Sequence, residues 1–188
     1  MDARERIEHS ARRFEPQVVR LRDGSSVTVR LATPDDEPAL RNFLGALCPE
    51  ARRLRFFTGA LDVASAAHDL SAANAHLSGL VAHDTMGVLV GHAIYVEENG
   101  LRAEVAVEVA DHLHDRGLGT ILLERLAAVA EDHGIETFIA EVLPENRAML
   151  DVFRDGFDAR VTLARGIEAV EFPTSTWSLA RERFSRAM

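Results

Sequence analysis

The spacing of apolar positions changes character twice along the chain. Residues 18–22 and 26–31 are short apolar stretches around Asp23-Gly24, and Val27, Val29 and Leu31 alternate with polar neighbours, which predicts two short strands joined by a turn. Thr33, Pro34, Asp35, Asp36 and Glu37 then open a helix. Thr33 can cap it, Pro34 suits the first turn, and the acids complement the helix dipole. Leu40, Phe43, Leu44 and Leu47 continue it at helical spacing. Beyond Pro49 an alanine-rich helical pattern follows, broken at Gly59. Arg52, Arg53 and Arg55 flank Leu54, Phe56 and Phe57 there, read as an amphipathic helix with a solvated basic face. From Leu77 the period falls to that of strands, with turns near residues 84–87 and at Glu98-Asn99-Gly100, and a further strand over residues 101–109. A helix over residues 120–133 (Ile121, Leu122, Leu126, Val129) ends at Gly134. A strand at 135–142, a helix at 144–155, strands at 159–164 and 168–172, and a helical tail from residue 175 with Trp177 as its anchor complete the pattern. The order predicts a mixed α/β domain with a mostly antiparallel sheet and one crossover helix over residues 18–172. A charged segment at 1–17 precedes it and the tail at 173–188 follows.

Composition narrows the partners. The chain of 188 residues carries 21 basic and 30 acidic side chains, a formal charge of −9, and every basic residue is arginine. Such a balance argues against the broad basic face of a nucleic-acid footprint and is compatible with cationic partners such as amines or lysine side chains. Cys48 is the only cysteine, so no internal disulfide can form and a reducing compartment is expected. Its place beside Pro49 reads as that of a small buried hydrophobe. The first residues are charged from Asp2 onward and lack the apolar core of a signal peptide. No apolar run approaches the roughly 20 residues of a membrane helix, so a cytoplasmic protein is expected.

The chemistry is concentrated in residues 103–123, AEVAVEVADHLHDRGLGTILL. A strand there runs into a turn carrying Arg116, Gly117 and Gly119, and a helix follows at once. Glycines let backbone N–H groups approach a ligand, and the helix start adds unsatisfied donors and a positive dipole end. Such a turn cradles a phosphate or pyrophosphate. A P-loop would end in Lys-Ser/Thr, and this chain has no lysine. A dinucleotide fingerprint would place a third glycine where Leu122 stands, after a βαβ unit rather than antiparallel hairpins. That match is weak, and a third reading is acyl-CoA, whose pyrophosphate would sit on the amides around residues 114–120 with its pantetheine along the preceding strand.

The spacing Val109-x4-His114-x2-Gly117-x-Gly119 resembles the pyrophosphate motif of the GNAT superfamily of N-acetyltransferases. Downstream, Leu143-Pro144-Glu145-Asn146-Arg147-Ala148-Met149-Leu150 and Gly156-Phe157 resemble that superfamily's second motif, an Asn opening a helix followed by a Gly-Phe strand entry. LRDGSSVTVRLATPDDEPALRNFL and CPEARRLRFF are similar to the amino-terminal part of the protein-lysine acetyltransferases of the Pat-like type, whose GNAT domains are often fused to acyl-CoA synthetase-like or regulatory modules. The resemblance spans roughly residues 18–172. It implies a GNAT-like fold with a strand splay at the acyl-CoA site and acetyl-CoA as co-substrate. Three departures stand out. His114 occupies a position usually held by Gln or Arg. Val152 and Phe153 stand where many members carry a Tyr general acid. The Asn146-to-Gly156 spacing is one residue short, which predicts a remodelled helix end.

Within that resemblance Glu104, in the Ala-Glu-x-Ala strand, is the expected general base: an amine is mostly protonated near neutral pH and must lose a proton to attack a thioester. Alternation puts Glu104, Ala106 and Glu108 on one strand face and the valines on the other. Glu108 is the rival, about 13 Å along the strand, and a solvated strand-face carboxylate is the plain alternative for either. Val107, Glu108 and Val109 line the pantetheine strand, with the valines offering backbone groups to its amides. Arg116, Gly117, Leu118, Gly119 and Thr120 are expected at the pyrophosphate, with His114 bracing the loop. Asn146 is a candidate for the pantetheine or a bridging water, or a helix cap. Arg147 could reach a CoA phosphate or face solvent. The His112/His114 pair lacks a third ligand cluster, so no metal is expected. His83 and His92 read as satisfied sheet histidines.

Direct acetyl transfer to a primary amine is therefore expected, with the resemblance favouring a protein lysine, for instance on an acyl-CoA synthetase. A small-molecule amine acetyltransferase and a non-catalytic acyl-CoA-sensing module are the alternatives. The absence of lysine from the chain fits genomic composition bias, or avoidance of self-modification.

Overall fold

The computed structural model describes residues 14–58, 60–71 and 77–175. The helix predicted around Trp177 and most of the charged amino-terminal segment lie outside these residues. Eight strands form one sheet: β1 (Gln17–Arg20), β2 (Ser26–Leu31), β3 (Leu77–His83), β4 (Leu89–Glu97), β5 (Arg102–Val109), β6 (Thr137–Val142), β7 (Arg160–Ala164) and β8 (Ile167–Pro173). Their spatial order is β1-β2-β3-β4-β5-β6-β8-β7, antiparallel throughout except for the β5–β6 pair. Among the described residues five α-helices flank it: α1 (Glu37–Ala46), α2 (Pro49–Phe56), α3 (Val63–Ser71), α4 (Leu118–Asp132) and α5 (Arg147–Asp151). The predicted α/β class and mostly antiparallel sheet are those observed.

The helices divide between the two faces. On one, Leu118, Leu122 and Leu126 of α4 pack with Ala93, Tyr95, Val105 and Phe138 of the sheet. The approach is close because β4 carries Gly91, where a Cβ would stand 3.1 Å from side-chain carbons of both Leu118 and Leu122. The other face buries Leu40, Phe43 and Leu44 of α1 and Ala67 of α3 against Val81 and Leu89. β5 serves both faces: Val105 and Val107 belong to the α4 core, while Glu104, Ala106 and Glu108 face the side of α1–α3.

Local chemistry explains most element ends. Residues 34–36 form a 3-10 turn before α1, and buried Asp36 accepts from the Thr33 N–H (2.8 Å) and from both Arg30 amino groups. Two expectations are corrected here. Cys48 is exposed, not buried: its Sγ accepts from the Ala51 N–H at 3.3 Å and caps α2. The helix predicted at residues 144–155 is shorter and remodelled; α5 begins after Asn146 and passes into a wide π turn, Val152–Gly156. That turn is pinned by Phe153 and Phe157, whose rings lie 5.4 and 5.1 Å from Phe172 of β8.

Candidate active site

The crossover through α4 makes β5 and β6 parallel, and their pairing covers only Arg102↔Thr137, Ala103↔Phe138 and Glu104↔Ile139. Beyond Glu104 the strands diverge. β6 stays paired to β8 as far as Val142, and β5 stays paired to β4 as far as Val109, so the facing edges from Val105 onward have no strand partner. Unpaired strand edges offer peptide N–H and C=O groups to a ligand. A cleft of about 420 Å³ opens in this splay and runs to the start of α4.

The far end of the cleft is the glycine turn. After Val109 come Ala110 and a 3-10 turn, Asp111–Leu113. Asp115 (φ 60°) and Gly117 (φ 86°) then take the left-handed conformation, which Gly117 adopts without a Cβ penalty. Gly117 caps α4, which starts at Leu118, two residues earlier than predicted, so the first N–H groups of the helix lack intrahelical acceptors and border the cleft. The first turn of α4 carries no acidic side chain to offset its dipole. A ring nitrogen of His114, Nε2, lies 3.0 Å from the Val109 carbonyl oxygen, tying the loop to the end of β5.

The two carboxylates of β5 have opposite surroundings. Glu104 is exposed and borders the cleft at the last position where β5 pairs with β6, and its carboxylate has no hydrogen-bond or ion-pair partner among the described residues. It also borders a second hollow of about 410 Å³ over β5, β6, β8 and β7, lined further by Glu98, Glu141, Glu171, Arg102 and Arg160. Glu108 is 6% exposed. Its Oε2 accepts from Arg55 Nε of α2 at 2.7 Å, and its Oε1 lies 3.2 Å from Nδ1 of fully buried His92 on β4. Burial alone would raise its pKa, but the Arg55 charge and the His92 hydrogen bond bring it down to about 2. Next to this ionised carboxylate Nδ1 is the donor, and His92 Nε2 is buried without a partner among the described residues.

All the predicted site residues border the cleft except Arg116 and Arg147. Arg116 is ion-paired to Asp23, and Arg147 is exposed on the first turn of α5. Asn146 is a helix cap, accepting from the Met149 N–H at 3.3 Å, and borders the cleft as well. Val152 lines the cleft, and Phe153 is buried against Phe172. The chain's one tyrosine, Tyr95, is buried, hydrogen-bonded to His133, and does not border it. Two arginines at the cleft were not expected there. Arg55 is not part of a solvated face but the partner of Glu108, and Arg22 reaches the glycine turn from the β1–β2 turn. Neither has a local signature, because each is brought in by packing between distant elements. Among the described residues no group of three or more His, Cys, Asp or Glu could hold a metal ion, and no helix is long and apolar enough to cross a membrane.

A mostly antiparallel sheet splayed at one parallel pair, with a glycine turn and a helix start at the open end, defines the N-acetyltransferase class of fold. The chain belongs to the acetyltransferase (GNAT) family, whose sequence model matches residues 48–157. It is 34% identical over 76 residues to the acetyltransferase Pat of Mycolicibacterium smegmatis, a match covering 39% of this chain and 23% of that protein. The chain thus matches about a quarter of the length of this curated relative. The GNAT domain of S. lividans PAT superposes with a TM-score of 0.77 at 33% identity, covering 84% of this chain and 96% of that one. Spermidine N-acetyltransferase from Vibrio cholerae, in complex with CoA and spermine, shares the fold at a TM-score of 0.60 and 16% identity, over 81% of this chain and 98% of that one.

Proposed function

We propose that this chain transfers an acetyl group from acetyl-CoA to a primary amine in the cytoplasm, and that the acceptor is the ε-amine of an exposed lysine on a protein such as an acyl-CoA synthetase. Membership of the GNAT family and the similarity to Pat and to the PAT GNAT domain support this reading. The observation that carries it is the contrast between Glu104, free and exposed at the fork of the strands, and Glu108, held ionised by Arg55 and His92.

The cleft suits a long ligand that is amide-bearing along its length and anionic at one end. Acetyl-CoA supplies the acyl group as an activated thioester. The open edge of Val107, Glu108 and Val109 takes the pantetheine amides, and the N–H groups from Gly117 to Thr120 take the pyrophosphate. His114 keeps the Val109 carbonyl in place, and the Asn146 side-chain NH2, left free by its capping oxygen, faces the pantetheine or a bridging water. Glu104 accepts the proton of the incoming ammonium, directly or through one water. The neutral amine attacks the thioester carbonyl carbon, the C–S bond of the adduct breaks, and the departing thiolate takes up the second proton from the nitrogen, with no covalent enzyme intermediate. Holding both reactants in the splay provides proximity. No tyrosine borders the cleft among the described residues, and the sulfur leaves as the thiolate.

The pair Val152 and Phe153 favours one rival, a non-catalytic acyl-CoA-sensing module. CoA release measured against a panel of proteins, peptides and small amines, followed by mass spectrometry of acetylated lysines, separates the two. Transfer to a protein lysine is expected. Tight acetyl-CoA binding with no transfer to any acceptor would favour the sensor, and transfer confined to small amines would reassign the acceptor.

A further inference from the structure

We propose that Arg22, on the turn between β1 and β2, is the side-chain cation that binds the pyrophosphate of acetyl-CoA; this rests on the acyl-CoA reading of the cleft. Two arginines stand beside the glycine turn, and their surroundings separate them. Arg116 is ion-paired to Asp23, whose carboxylate also accepts from the Ser25 N–H (3.0 Å) and hydroxyl (2.6 Å). Its charge is spent within this turn, and it does not border the cleft.

Arg22 does border it. Its backbone N–H donates to the Arg116 carbonyl at 3.1 Å, which docks the β1–β2 turn onto the glycine turn. Its side chain lies across Gly117, where an added Cβ would stand 3.3 Å from Nε and 3.6 Å from Cγ. The guanidinium has no hydrogen-bond or ion-pair partner among the described residues, so a permanently charged, forked donor faces the opening that the first N–H groups of α4 also border.

The need for such a cation follows from the charges around it. The cleft is bordered by the carboxylates of Glu104, Glu108, Asp115, Glu141, Asp151 and Asp155, and its only described arginines are Arg22 and Arg55. Arg55 is committed to Glu108. A ligand carrying several phosphate charges therefore meets one uncommitted arginine, and that arginine is already laid over the glycine to which the pyrophosphate is assigned. Asp23 has a definite part: by neutralising Arg116 it leaves Arg22 as the cation at the turn.

Calorimetric titration of CoA, dephospho-CoA and pantetheine into the full chain tests this, with wild type, Arg22→Gln and the double variant Asp23→Asn/Arg116→Gln, each checked by thermal melting. Arg22→Gln should weaken CoA and dephospho-CoA by about tenfold, the scale of one charge-assisted hydrogen bond, and leave pantetheine unchanged. The double variant, which removes both charges of its pair, should stay within about threefold of wild type, less than half of one such bond in free energy. Wild-type CoA affinity in Arg22→Gln overturns the proposal. Equal weakening of pantetheine would mean a structural effect, and a loss seen with CoA but not dephospho-CoA would move Arg22 to the ribose phosphate; either also overturns it. If the wild-type chain binds none of the CoA ligands, the acyl-CoA reading itself fails and this assignment falls with it.

Discussion

Two glutamates on the same face of one strand differ in everything but their chemistry. Alternation along residues 103–109 put Glu104 and Glu108 on a common face, and the structure agrees. What the sequence could not display is that α2, more than 50 positions earlier, sends Arg55 onto Glu108 (Arg55–Glu108 separation 53). The helical pattern of residues 50–57 reads as a solvated basic face because ion pairs across the fold leave no trace in local periodicity. A buried carboxylate that loses its cation is far costlier than an exposed one, so Arg55→Ala should lower unfolding free energy by about 3–5 kcal/mol in denaturant titrations. The pH dependence follows from the same pair. The Glu108 pKa is depressed from 4.5 to about 2 on folding, so its contribution is complete above pH 4.5 and is lost as pH falls towards 2. Thermal melts from pH 7 to 3 should show that acid limb in the wild type and a flatter one in Glu108→Gln.

At the scale of elements, the turns and helix starts are the most legible features, because each depends on a few adjacent residues. Asn99-Gly100 sits in the β4–β5 turn, where Gly100 takes φ 83°, and Gly134 follows α4 at φ 84°. The helix after Asn146 was overextended in sequence terms: Val152–Gly156 keeps a helical composition, but docking of Phe153 and Phe157 onto Phe172 draws the backbone into a π turn. The insertion of β8 between β6 and β7 has no local cue either, since alternation marks strands but not their neighbours. The seat of α4 rests on Gly91. Gly91→Val would place branched carbons where a Cβ alone already stands 3.1 Å from Leu118 and Leu122. The expected cost is about 1–3 kcal/mol of stability, the usual range for overpacking, accompanied by a raised KM for acetyl-CoA because the start of α4 is displaced. Stability lost with KM unchanged would show that α4 and the cleft are not coupled in this way.

Across the whole molecule, the site lies where both faces of the sheet meet. The α4 face contributes the glycine turn, the α1–α3 face contributes Glu104 and the Arg55–Glu108 pair, and the cleft joins them where β5 parts from β6. The strand–turn–helix over residues 103–123 announced the first of these contributions and the candidate base in one stretch of sequence. Arg22 and Arg55 stayed hidden, since they reach the cleft from the β1–β2 turn and from α2 through contacts that only the folded chain makes. The central claim is that the free carboxylate at the fork is the base of an acetyl transfer. Its most direct test is the pH profile of kcat for wild type and Glu104→Gln with acetyl-CoA and an accepted lysine substrate, with CoA affinity measured alongside. Glu104→Gln should bind CoA as the wild type does and lose about 10²–10⁴ in kcat at neutral pH. Part of that loss should return as pH rises towards the lysine pKa of about 10.4, where the amine sheds its own proton. A Glu104→Gln enzyme with wild-type kcat at neutral pH, or with its loss confined to CoA binding, would contradict it.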